Sequence, residues 1–109
     1  MKTVVIRKSP KLEKKWRATF TEGGNSGVSV HRSVDFGQKG YSDYTKHKDA
    51  LRMSRYLGRH RRMRENWGFS GRYSAGFWSR WLLWSKPSLQ GALGVVRRKL
   101  PGYIVKLQR

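Results

Sequence analysis

Cysteine is missing altogether from the 109 residues. Disulfides, thiolate catalysis and cysteine-based zinc sites are therefore excluded, and the composition suits assembly in the cytosol or nucleus. Acidic residues are scarce: six Asp and Glu face 25 Lys and Arg, a formal net charge of +19. Self-repulsion on that scale weakens an isolated fold, and a polyanion or an acidic protein surface relieves it. Long apolar runs are missing too. MKTVVIRKSPKLEKK is broken by Arg7 and Lys8 too soon for a signal peptide. WLLW (Trp81 to Trp84) is the longest strongly apolar run, far short of a bilayer span. A soluble or peripheral protein is expected.

What the chain does have is aromatic bulk. Hydrophobic residues make up 37% and aromatic residues 13%. Each buried Trp or Phe removes about 150–250 Å² from water, so a few rings must supply much of the core. The length fits one small basic domain, residues 1–109, with residues 1–13 open to reading as an extended arm.

The pattern along the chain predicts an α+β fold, strands first and helices after. TVVIRK (Thr3 to Lys8) is β-branched and ends before Pro10. KKWRATFT (Lys14 to Thr21) alternates, with Trp16, Ala18 and Phe20 on one face. EGGNSG (Glu22 to Gly27) reads as a turn. VSVHRSVDF (Val28 to Phe36) alternates again, with Arg32 interrupting an otherwise apolar row. This small antiparallel hairpin or sheet needs a cover for its apolar face.

About three helices are expected to provide that cover. Asp49 is a plausible N-cap for ALRMSRYLGRHRRMR, with Ala50, Met53, Leu57 and His60 on one stripe. Ser74 suits the cap of a short helix carrying the tryptophans. Pro87 stands near the start of a last helix with Leu89, Leu93, Val96 and Leu100 in step, stopped by Pro101-Gly102. YIVKL (Tyr103 to Leu107) then suits a short C-terminal strand.

Catalytic motifs find no support. The triplet Asp35-Phe36-Gly37 matches the kinase magnesium motif, but the glycine-rich loop, lysine strand and catalytic loop are all missing. His31, His47 and His60 are too far apart in sequence to form a ligand pair. The acids are scattered, and no nucleophile elbow is apparent. No cofactor, no metal and no enzymatic activity are expected.

Two features stand out instead. From Thr45 to Arg64 eight Lys or Arg face Asp49 alone, and Arg52, Arg55, Arg59, Arg61, Arg62 and Arg64 are candidates for binding a polyanion or an acidic partner. The second feature is AGFWSRWLLWSKPSLQGAL. Within Trp67 to Trp84 only Arg72 and Arg80 are basic, so rings and charge are segregated, which disfavours base stacking. At helical spacing Trp78, Leu82 and Ser85 share one stripe and Phe77, Trp81 and Trp84 another. At least half of these rings are expected in the core, the rest at a protein interface.

VDFGQKGYSDYTKHKD (Val34 to Asp49), RYLGRHRRMR (Arg55 to Arg64) and AGFWSRWLLWSKPSL (Ala75 to Leu89) together resemble a family of short, basic, mostly uncharacterised proteins of large nucleocytoplasmic DNA viruses. The resemblance covers roughly Lys14 to Leu100. It implies a virus with an icosahedral capsid over an inner membrane, made in host cytoplasm or nucleus. It also implies a minor capsid protein at the inner face of the shell, docking under or between major capsid proteins and beside neighbouring minor ones. Tyr41, Tyr44, Phe77, Trp78, Trp81 and Trp84 would then be the protein contacts. The basic helix would meet acidic patches or inner-membrane lipid phosphates. The alternative is a sequence-nonspecific nucleic-acid-binding or genome-packaging virion protein, with a ribosomal-type RNA binder as a third reading.

Overall fold

The computed structural model describes residues 2–23 and 29–108. The turn expected over Glu22 to Gly27 falls mainly on residues 24–28, outside the described residues, as do Val28 and the side chain of Val30. The fold is α+β. Strands β1 (Lys2–Lys8), β2 (Lys14–Gly23) and β3 (Ser29–Gln38) run antiparallel in succession, and β4 (Tyr103–Leu107) joins parallel to β1. The sheet order is β3-β2-β1-β4. Residues 2–8 are therefore an inner strand rather than an arm, since Val4 and Ile6 are fully buried. In register, Val4 lies between Phe20 and Val105, and Ile6 between Ala18 and Leu107.

The period-2 pattern sets which face is covered. Val4, Ile6, Ala18, Phe20, Val34, Phe36 and Val105 all point into the core. On the other face Arg17 donates to Asp35 at 2.9 Å, Thr19 meets Ser33 at 3.3 Å, and Thr21 meets His31 at 3.2 Å. Arg32 belongs to the inward row opposite Phe20, and its guanidinium lies 4.7 Å over the Tyr73 ring. The charge that interrupts the apolar alternation is thus accommodated by a cation–π contact.

Four α-helical segments follow. A single turn, α1 (Tyr44–His47), is capped by the Asp43 side chain, and α2 (Ala50–Arg62) by Asp49, which accepts from the N–H groups of Leu51 and Arg52. Lys48, in the left-handed region at φ 57°, breaks the chain between them. Ser74 caps α3 (Ala75–Trp78), which runs straight into a π-helical turn over Ser79–Leu83. Ser88 caps α4 (Leu89–Lys99), and Gly102 at φ 86° turns the chain into β4.

The π turn changes the arrangement of the tryptophan segment. Trp84 donates its N–H to Ser79 at 3.0 Å, five residues back instead of four. Buried positions therefore repeat at five: Phe77 with Leu82, and Trp78 with Leu83. The stripes expected from a 3.6-residue period do not form. Phe77 and Trp78 are core residues, fully buried, and cannot serve as protein contacts in the folded chain. Phe36 stacks on Trp78 at 5.6 Å, while Phe20 meets Trp78, Tyr73 and Tyr103 edge-on. The Trp78 indole N–H donates to the Arg72 carbonyl at 2.8 Å, so its burial leaves no polar atom unpaired.

The loop before this segment closes tightly. A Cβ on Gly71 would lie 2.1 Å from the Asn66 carbonyl oxygen, so only glycine fits there.

Candidate functional site

Helix α2 buries little. Tyr56 is its one buried residue; Met53, Leu57 and His60 are half-buried and Ala50 is exposed. The expected apolar stripe is thus present but weak, and its centre is a tyrosine. That ring stacks on Trp84 at 4.3 Å with only 4° between planes, and on His60 at 4.0 Å. Trp84 in turn meets His47 of α1 at 5.2 Å. This stack fastens α2 to the rest of the molecule.

Polar contacts finish the attachment. His60 is 2.9 Å from Glu65, and Glu65 also accepts from the Trp67 indole at 3.0 Å. The Tyr56 hydroxyl has no hydrogen-bond partner among the described residues, with Ser79 close by but not closing a bond. Burial and then the Glu65 charge push its ionisation upward, so it stays a neutral phenol.

A cleft of about 580 Å³ opens between α2 and the end of the sheet where β2 begins and β3 ends. Arg52, Arg55 and Arg59, spaced three and four apart, bring one face of α2 to it. Lys14 and Lys15 of β2 line the opposite side. Gly37, at φ +75°, lies in the wall between them, where a Cβ would come within 2.9 Å of Leu83. Its two acidic lining residues are already engaged: Asp43 with Lys15 at 2.7 Å, and Glu65 with His60.

Three of the remaining four acids serve the fold in the same way, and Glu13 is exposed with no side-chain ion pair among the described residues. Asp35 holds Arg17 and Ser9, and the Arg17 contact keeps its carboxyl below the usual range. Glu22 accepts from the Tyr103 and Tyr73 hydroxyls, which depress its carboxyl likewise. Asp49 is spent on its cap. Arg52, Arg55, Arg59, Arg61, Arg62 and Arg64 are all exposed, and none has an ion-pair partner among the described residues.

The six arginines divide into two sets: the first three line the cleft, and Arg61, Arg62 and Arg64 lie beyond it. Among the aromatic candidates, Tyr41 is exposed beside the cleft, Tyr44 is half-buried on α1, and Trp84 lines the cleft from its stack. Trp81 is half-buried, donates to the Trp67 carbonyl at 2.7 Å, and has Arg80 and Lys99 each 4.3 Å over its ring. Rings and charges segregated in sequence are therefore interleaved in space. Sequence reasoning missed Tyr56, Lys14 and Lys15. An aromatic residue alone among arginines was the available signal for Tyr56; the lysines reach the cleft only through the tertiary fold.

A family model described as a family of unknown function, DUF5754, matches residues 4–60. The chain belongs to this family. The DUF5754 match spans β1 to β3, α1 and α2 as far as His60, so it contains Lys14, Lys15, Arg52, Arg55 and Arg59. The tryptophan segment and Arg61, Arg62 and Arg64 fall outside it. No curated protein and no solved structure matches this DUF5754 chain.

Proposed function

We propose that the protein binds nucleic acid through its phosphates, without reading base sequence. One observation carries this reading: the arginines from Arg52 to Arg64 are solvent-facing and have no ion-pair partner among the described residues, while five of the six acids are engaged elsewhere. A face of that kind gains free energy from a polyanion through counterion release. The net charge of +19 favours the same partner.

The balance between the two virion readings moves accordingly. Capsid docking named Tyr41, Tyr44, Phe77, Trp78, Trp81 and Trp84 as contacts, and of these Phe77 and Trp78 are committed to the core. Tyr41, Tyr44 and parts of Trp81 and Trp84 are what remain for a protein contact. The resemblance to proteins of large DNA viruses supplies a setting for polyanion binding, with the genome as the polyanion.

Titration of a labelled oligonucleotide at several salt concentrations tests the proposal. With six to ten phosphates contacted, affinity should fall by roughly 10³–10⁵ between 50 and 200 mM salt. Unrelated sequences of equal length should bind alike. An isotherm indifferent to salt would remove the reading.

A further inference from the structure

The cleft beside α2 does not stand alone. A second cleft of about 620 Å³ adjoins it, and the two share Lys15, Tyr41 and Ser42 in their walls. The second is lined by Lys8, Lys39 and Lys46 as well as Lys15, and no acid belongs to its wall. A cationic track therefore runs from Arg59 and Arg55 on α2, past the Lys15–Asp43 ion pair, to Lys39 and Lys46. Tyr41 stands between the two clefts and is 66% exposed. Its backbone N–H is held by the Gln38 carbonyl at 3.3 Å, while its ring has no stacking partner among the described residues.

The other rings lining the two clefts are engaged in the fold. Trp84 and Tyr56 stack on each other, and Trp16 is half-buried against the core. A free ring at the midpoint of a concave cationic track is the arrangement that binds single strands: phosphates follow the charges and a base stacks on the ring. In a duplex the bases are stacked inward and their faces cannot reach such a ring.

Resting on the nucleic-acid reading above, we propose that the two clefts form a binding track for single-stranded nucleic acid, with Tyr41 as its base-stacking residue. DNA and RNA share the chemistry this track recognises. The phosphates lie along Arg52, Arg55, Arg59, Lys14, Lys39 and Lys46, and one base lies against the Tyr41 ring.

Fluorescence anisotropy with the full chain tests this, using oligo-dT, oligo-rU and a duplex with the same number of phosphates at one salt concentration. The expected result is tighter binding of both single strands than of the duplex, by roughly tenfold or more, since one stacked base contributes about 1–3 kcal/mol. Tyr41→Ala should weaken single-strand binding roughly 5- to 150-fold, and Tyr41→Phe should restore it. Lys106→Gln removes a charge from the open sheet face and should leave the preference for single strands intact. A preference for rU over dT, or the reverse, would identify which strand the track favours. Equal binding of duplex and single strand, or a folded Tyr41→Ala that binds like the parent, overturns the track while leaving phosphate binding in place. Absence of binding to all three probes removes both proposals.

Discussion

Two parts of this molecule solve opposite problems. The sheet and the segment from Phe69 to Leu100 put most of the large apolar side chains inside, and the Trp78 and Trp81 indoles each find a carbonyl. Helix α2 does the reverse: it exposes every arginine and holds on through a single buried tyrosine. The comparison teaches that stability and charge are carried by separate elements. A core assembled without α2 can tolerate a helix whose surface carries charge that no acid among the described residues neutralises.

The sharpest way to break this division is to damage each side in turn. Trp78→Ala should cost about 3–5 kcal/mol, seen in chemical denaturation as loss of the whole cooperative transition toward lower denaturant. Tyr56→Ala should cost less globally. It should release α2 while the sheet persists, which hydrogen exchange would register as lost protection confined to residues 50–62. Similar loss of protection throughout the chain would mean that α2 and the core form one unit.

Smaller perturbations sharpen the contrast. Asp49→Ala removes the α2 cap and should lower stability by about 1 kcal/mol, with a drop in helical circular dichroism. Acid should attack the sheet. Asp35 and Glu22 have ordinary values of 3.8 and 4.5 and are depressed in the folded chain. The unfolded chain therefore takes up their protons first. Their stabilisation is complete above those ordinary values and is lost as pH falls through the lower folded ones. A denaturation midpoint that stays flat from pH 6 to pH 2 would contradict this. Least of all should stability respond to the triple change of Arg52, Arg55 and Arg59 to Gln, within about 0.5 kcal/mol. The same variant should lower the salt slope of single-strand binding by about two.

Much of the fold was legible because it is local. Trp16, Ala18 and Phe20 alternate as a half-buried strand must, Asp49 and Ser74 sit where caps belong, and Pro101-Gly102 ends the last helix. What escaped depends on geometry that sequence spacing does not carry. One extra residue per turn at Ser79–Leu83 moves Phe77 and Trp78 into the core and defeats the stripes drawn at 3.6 residues. The candidate site divides in the same way. The arginines of α2 are visible as a charge run, whereas Lys14, Lys15 and Lys39 join them only when β2 and β3 bring their ends beside α2. Tyr41 is named as a contact by the resemblance, but its place between two clefts appears only in the fold.

The pairing of β4 with β1 has a consequence for biosynthesis. Val4 needs Val105 beside it, so β1, already paired with β2, waits through the synthesis of every helix before its second neighbour β4 arrives. At about 5–20 residues per second, the nascent chain spends several seconds with that strand's edge open. Throughout this interval the basic segments between β1 and β4 are being made, and β4 has to find the open edge of β1 in their presence.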